Sequence, residues 1–300
     1  MVNEAVMDTV IDVKQLEYRY PGASVAALRG VSFEVRRGEV FGLLGPSGAG
    51  KSTLQKVLTR QHRRIAGGAV TVLGRPIDAW GQDFYERIGV GFELPNHFPR
   101  LTAGENLEFF ASLYARPTKR PRELLDMVGL ARQIDTRVSE FSKGMMMRLN
   151  FVRAILHDPE LIFLDEPTSG LDPVNAAHVK ALVRALQEQG KTVVLTTHNM
   201  TDVEELCARV GFMVAGEMKT LDDKRALKAR YGRRELVVEH GPEGAARRST
   251  FPLDGLHADA DFQAVLRAGQ LRTMHSQEAT LDRVFAAVTG TALTAGEGAP

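Results

Sequence analysis

Apolar and polar positions along the chain fall into three regimes, and each predicts a different kind of element. In VIDVKQLEYRY (residues 10–20) and VSFEV (31–35) they alternate, the period of half-buried strands, with a PGAS turn between. VFGLLG (40–45), LIFLDE (161–166) and TVVLTTH (192–198) are nearly continuous apolar runs, the pattern of parallel strands covered on both faces. AVTVLG (69–74) and IGVGFE (88–93) also read as strands. Between residues 93 and 161 the period lengthens to that of helices: AGENLEFFASLYA, PRELLDMVGLA, and a stretch led by three methionines. Sheet, helical insertion, sheet is the implied order, an α/β fold. After about residue 220 the texture changes to a basic helix (DDKRALKARYG), a strand (RELVVEH), a helix (DADFQAVLRAG), a strand (QLRTMHS) and a final helix (TLDRVFAAVTG), a small α+β appendage. The last stretch, TALTAGEGAP, has the composition of a frayed tail.

Composition narrows the picture little further. The 300 residues are 44% hydrophobic and 25% charged, ordinary for a globular protein, and 38 Lys+Arg against 37 Asp+Glu give no global field to attract nucleic acid or an anionic membrane. With Cys207 the single cysteine, intrachain disulfides and cysteine metal clusters are excluded; in VEELCARV it reads as a small buried hydrophobe on a helix. No segment approaches the roughly 18 apolar residues of a spanning helix. The acids in MVNEAVMDTVID are unlike a secretory leader, so the expectation is a cytoplasmic protein whose membrane role, if any, runs through a partner.

Two strings carry chemistry. GPSGAGKS (45–52) fits G-x-x-x-x-G-K-[ST] between an apolar strand and the helix TLQKVLTR. Gly45, Gly48 and Gly50, with Pro46, Ser47 and Ala49 between them, let successive N–H groups curl around β- and γ-phosphates. Lys51 adds an ammonium, Ser52 a hydroxyl for Mg²⁺, and Thr53 a contact to the α-phosphate. Such a string arises by chance in on the order of one in a hundred chains of this length. LIFLDEP (161–167) then sets Asp165 and Glu166 at a strand end, Asp165 to hold Mg²⁺ and Glu166 to polarise the attacking water. FSKGMMMRLN (141–150) admits two readings. Met145, Leu149, Val152 and Leu156 recur at helical spacing as a packed face, while Ser142, Lys143 and Gly144 make a helix start suited to an anion.

FSKGM, LIFLDEPTSGLDP and TTHNM in that order, behind the phosphate loop, resemble the ATP-binding cassette (ABC) transporter family from about residue 10 to residue 220. The resemblance implies a P-loop NTPase core with an N-terminal antiparallel β subdomain and a helical subdomain at about 94–157, residues 221–300 being an accessory region. It implies that Ser142 and Gly144 close on ATP held by a second copy. Asp172 matches the aspartate that couples the two sites, His198 the switch histidine on the γ-phosphate, and Tyr20 the aromatic that stacks on adenine. Tyr18 shares a strand face with Tyr20, so sheet packing competes for that role; Tyr20 is preferred because it abuts the turn. Glu93 stands where the family has glutamine, which implies contact to Mg²⁺ with a charge added. Lys143 stands where glycine is usual and should stiffen the loop. His97, Phe98, Pro99 and Leu101 fall where the family receives a coupling helix from the membrane subunit. The SKGM variant and ATLDRVF (279–285) resemble drug, antibiotic and lipid exporters. The expected protein is thus an ATP- and Mg²⁺-dependent ATPase, dimeric with ATP, attached to separate permease subunits on the cytoplasmic face of the membrane. A soluble ABC-type ATPase and a non-hydrolysing regulatory module are the alternatives.

Overall fold

The computed structural model describes residues 9–232, 235–242, 244–277 and 280–290. The N-terminal expectation on residues 1–8 and the tail at 291–300 lie outside the described residues. The chain divides into two units, 1–223 and 224–300.

In the first unit, β1 (Thr9–Tyr18), β2 (Leu28–Arg36), β4 (Gly67–Val72) and the short β5 (Arg75–Pro76) form an antiparallel sheet in the order β2-β1-β4-β5. Alternation predicts its faces: Leu28, Val31, Phe33 and Val35 of β2 are buried in turn. In β1 the phase slips by one residue between Val13 and Leu16, where Gln15 takes φ +48° and its N–H bonds the Ser32 hydroxyl at 2.8 Å. This bulge keeps Leu16 and Tyr18 inward after the slip.

The second sheet holds β3 (Val40–Leu44), β6 (Ile88–Gly91), β7 (Leu161–Asp165), β8 (Thr192–Thr197), β9 (Arg209–Val214) and β10 (Glu217–Asp223), in the order β10-β9-β3-β8-β7-β6. All neighbours are parallel except β9 and β10. β3 and β8 are buried at every position, as their unbroken apolar runs require. The β9–β10 hairpin, RVGFMV-AG-EMKTLDD, was not anticipated from the sequence pattern. Helix α1 (Lys51–Leu58) follows β3; α5 (Pro173–Glu188) and α6 (Met200–Leu206) follow β7 and β8. Aromatic and aliphatic side chains of both sheets, Phe33 and Phe41 stacked at 5.7 Å among them, share one core.

Between β6 and β7 lie α2 (Ala103–Ala111), α3 (Pro121–Met127) and α4 (Lys143–Ala154). Thr102 and Glu105 form a reciprocal cap on α2. The expected packed face of α4 needs correction. Leu149 and Val152 are buried, but Met145 is only half-buried, and Leu156 lies beyond the helix end. Met147 is the buried methionine, and the C-terminal half of α4 is enclosed all round, Asn150 and Arg153 included. Cys207 is buried as expected but sits one residue past the end of α6 in extended backbone. No helix among the described residues is long and apolar enough to cross a membrane.

The second unit contains α7 (Lys224–Tyr231), β11 (Glu235–His240), β12 (Arg247–Pro252), α8 (Ala260–Arg267), β13 (Leu271–Gln277) and α9 (Leu281–Thr289). Its antiparallel sheet runs β12-β11-β13. Leu236, Val238, Phe251 and Phe262 pack together, and Leu227, Leu281, Val284 and Phe285 are buried. β12 is the strand that sequence pattern did not anticipate.

Candidate active site

The C-terminal ends of β3, β7 and β8 open on one cleft of about 650 Å³, where ligands of parallel sheets gather. Its walls carry Ser47 to Thr53, Glu93, Asp165, Glu166, His198 and Tyr20. The loop from Gly45 to Gly50 leaves β3, passes Gly48 at φ +77°, and enters α1 through Gly50 at φ +102°. It is braced by β9: a Cβ on Gly45 would lie 2.2 Å from the Met213 carbonyl oxygen, and the Gly216 N–H bonds the Ala49 carbonyl at 2.9 Å. The loop is therefore held by a strand more than 160 residues away in sequence.

Lys51 turns its ammonium onto the carbonyls of Gly45 and Pro46, at 2.6 and 3.2 Å. Burial lowers its pKa, opposed by Glu166, Asp165 and Glu93. Asp165 is shifted the other way: burial raises its pKa, Glu93 and Glu166 add to the rise, and the Thr196 hydroxyl bond opposes it. Three acids around one ammonium leave an excess of negative charge that a divalent cation would relieve. No group of three or more His, Cys, Asp or Glu among the described residues could cage a metal. The residues therefore fit Mg²⁺ bound in part by phosphate oxygens and water, with the exposed Ser52 at the first turn of α1 beside them.

Glu166 is the most constrained side chain of the cleft. It is 7% exposed and holds φ +48°, a costly conformation for a non-glycine residue. Its N–H bonds the Thr196 carbonyl at 2.9 Å. Oε2 accepts from the Thr197 hydroxyl at 2.9 Å, while Oε1 accepts the His198 N–H at 2.9 Å and lies 2.6 Å from His198 Nδ1. A proton on Nδ1 directed at the carboxylate leaves Nε2 of the largely exposed His198 ring available to a ligand. The arrangement suits a fixed carboxylate base whose orientation is set by Thr197 and His198.

Tyr20 is 37% exposed, beyond the end of β1, and its hydroxyl lies 3.0 Å from Thr53 Oγ1. Tyr18 is 6% exposed and stacks on His62 at 4.7 Å. The strand ends at Tyr18, yet the Tyr20 ring still meets the Tyr18 ring edge-on at 5.1 Å, so Tyr20 both packs on the strand's last residue and borders the cleft, while Tyr18 is core.

Ser142, Gly144 and Asp172 do not line this cleft. Ser142 caps α4, its Oγ accepting the Met145 N–H at 3.2 Å, and leaves its side chain exposed. Gly144 faces Leu171, and the stem of Lys143 lies on Gly170. The helix start is thus packed against residues 170–171 of the same chain. Asp172 caps α5, accepting from Val174 and Asn175 N–H groups at 3.1 and 3.0 Å. Sequence pattern does not point to Ala27, Arg29 and the Ala215–Gly216 turn, which line the cleft, or to the buried Thr196 and Thr197, which bond its carboxylates. The two threonines directly precede His198 and could have been suspected; Arg29, which donates to the Ala215 carbonyl at 2.9 Å, leaves no local signal.

A second groove, about 550 Å³, lies between the sheet and the helical insertion. Phe92, His97, Phe98, Phe110, Tyr114 and Arg153 line it. Asn106, fully buried, pins its rim by accepting the Phe98 N–H at 2.9 Å and donating to the Phe98 and Thr102 carbonyls. Burial and the Arg153 charge push the His97 pKa down to about 4.

Comparison with known proteins agrees with this geometry. Residues 28–169 match the ABC transporter family model, and residues 234–278 match the model of the fluoroquinolone efflux ABC transporter C-terminal domain. The chain is 53% identical over 289 residues, 95% of each sequence, to a fluoroquinolones export ATP-binding protein of Mycobacterium tuberculosis. It is 39% identical over 209 residues to a linearmycin resistance ATP-binding protein of Bacillus subtilis, covering 68% of this chain and 67% of that protein. Among solved structures it resembles a dimeric post-hydrolysis ATP-binding cassette bound to ADP and Pi, with TM-score 0.65 and 27% identity over 71% of this chain and 98% of that one.

Proposed function

Because the chain belongs to the ABC transporter family, as one of its ATP-hydrolysing subunits, we propose that turnover in this cleft powers export of a drug-like amphiphile through a separate membrane permease. Fluoroquinolones are the first cargo to test, given the names of the relatives and the match at residues 234–278. The observation that carries hydrolysis is Glu166, buried beside the phosphate loop and bonded by Thr197 and His198.

On nucleotide entry, the Lys51 ammonium exchanges its two carbonyl partners for β- and γ-phosphate oxygens, with the loop N–H groups from Ser47 to Thr53 around them. Tyr20 stacks on adenine. Ser52, Asp165 and Glu93 would hold Mg²⁺, which when bound would supply positive charge beside the phosphates. Glu166 takes the proton of the attacking water, and His198, turned by its Nδ1 bond, offers Nε2 toward the γ-phosphate. Ser142, Gly144 and Asp172 serve the cleft of a second copy, so the working unit is a homodimer. Their position outside their own chain's cleft supports this reading, as does the dimeric cassette in the comparison. The Phe98 groove receives a helix of the permease, which holds the subunit at the cytoplasmic face of the membrane. Residues 1–223 do this chemistry, and residues 224–300 are accessory to it. With net charge +1, nothing favours nucleic acid as a partner.

The test is co-expression with a candidate permease subunit, followed by ATPase and fluoroquinolone transport assays in membrane vesicles. Glu166→Gln should lower hydrolysis by ~10²–10⁴ and abolish transport. Undiminished hydrolysis would remove Glu166 from its role, and transport that persists without hydrolysis would overturn the energising function.

A further inference from the structure

The catalytic reading leaves one buried ionic cluster unused. Asp202 lies in the first turn of α6, four residues after His198, and is 2% exposed. The Thr168 hydroxyl, itself in a residue 9% exposed, donates to its Oδ2. Its Oδ1 is 3.8 Å from the Lys180 ammonium of α5, which bonds Glu205 Oε1 at 2.6 Å; Arg184 closes the cluster on Glu205 at 3.2 Å. Burial raises the Asp202 pKa, the Thr168 bond and Lys180 opposing.

The position of Thr168 gives this cluster its meaning. It lies two residues after Glu166 and four before Asp172, in the turn where the Ser169 N–H bonds the Glu166 carbonyl at 3.0 Å and the Leu171 N–H bonds the Thr168 carbonyl at 3.1 Å. That turn is already tied to the connection between β8 and α6 by the Glu166–His198 bond on the cleft side. Thr168–Asp202 is a second tie, four residues further on in the first turn of α6, from the buried side. Two fixed points define an orientation where one defines only a pivot.

We propose that Asp202 is a positioning residue: through Thr168 it locks the turn from Glu166 to Asp172 to the first turn of α6, which directly follows His198, so that the base, the histidine and the inter-copy aspartate move as one body. The claim rests on the ATPase reading above. A buried carboxylate need not be retained for stability, since buried charges are expensive to keep. Lys180 keeps Glu205 as a partner when the Asp202 charge is removed, so Asp202→Asn should fold. An asparagine carbonyl can still accept from Thr168, whereas Asp202→Ala and Thr168→Val each delete the tie.

The experiment is steady-state ATPase of the purified full chain over a range of ATP concentrations, with hydrogen exchange of peptides covering residues 166–172 and 198–206. Wild-type turnover, lost in Glu166→Gln, tests the underlying reading separately. Asp202→Ala and Thr168→Val should each lower kcat about tenfold with KM for ATP within twofold, about 1.4 kcal/mol of barrier. The double variant should be no worse than either single one, as for two ends of one bond. Thr168→Ser and Asp202→Asn should recover most of the rate. Exchange should quicken in both peptides, while peptides of β3 are unchanged. Multiplicative losses in the double variant would overturn the proposal, as would wild-type kcat in both single variants. So would a loss that follows thermal stability alone and is not recovered by Thr168→Ser.

Discussion

Replacing Gly45 by alanine adds one methyl group at a point where the chain has no room for it. The new Cβ would lie 2.2 Å from the Met213 carbonyl oxygen and 2.9 Å from Ala49 Cβ, against an ordinary contact of 3.4 Å or more. The shortfall of 1.2 Å (3.4 − 2.2) falls on backbone atoms of β9, which cannot rotate away as a side chain would. Either the hairpin or the phosphate loop must shift by a comparable distance. Overpacking of this kind costs about 1–3 kcal/mol, and for a unit of this size each kcal/mol lowers Tm by about 2–4 °C. If the loop gives way, its N–H groups lose their aim at the phosphates; one charge-assisted hydrogen bond is worth ~1.5–3 kcal/mol, so ATP should bind about ten- to a hundredfold more weakly. Gly74→Ala is the control. It sits at φ +76° in the turn between β4 and β5 with no atom within 4 Å of the added Cβ, so it carries only the conformational penalty of ~1–2 kcal/mol. Thermal unfolding by calorimetry and fluorescent-nucleotide titration should then separate the two: both variants melt lower, and only Gly45→Ala loses affinity. Gly45→Ala that binds ATP as tightly as wild type would refute the bracing of the loop by β9.

Tyr20→Ala should weaken ATP binding by ~1–3 kcal/mol through loss of stacking, while Tyr20→Phe, which gives up only the part-buried Thr53 link, should stay within about fivefold of wild type in calorimetric titration. His97, with its pKa near 4 in the fold and an ordinary histidine value when unfolded, supplies stability that is present above the unfolded pKa and is lost as pH falls toward 4. Between pH 7 and pH 5 that loss is about 2 kcal/mol, and His97→Gln should flatten the urea-unfolding profile over this window. Glu93 adds charge beside Asp165, so Glu93→Gln should make ATP binding less steeply dependent on Mg²⁺ concentration; an unaltered dependence would remove Glu93 from the metal's surroundings.

Much of this molecule was legible before folding because its chemistry is written in contiguous strings. GPSGAGKS encodes a loop whose neighbours in sequence are its neighbours in space, and LIFLDE and TVVLTTH end where parallel strands must end. Alternation fixed the faces of β2, and the polar start at Ser142 fixed the first turn of α4. The order of the motifs sufficed for the family. What sequence could not decide were meetings between residues far apart along the chain. Periodicity put Tyr18 and Tyr20 on one face, but the strand stops at Tyr18. The methionine stripe named Met145, yet packing against the sheet buries Met147. Gly45 needs to be glycine because β9 runs beside β3, and the Glu166–His198 and Thr168–Asp202 ties exist because β7 and β8 are adjacent. Local spacing specifies backbone geometry within a turn or two. Strand order, which arises only from global burial of apolar faces, chooses the partners beyond that range.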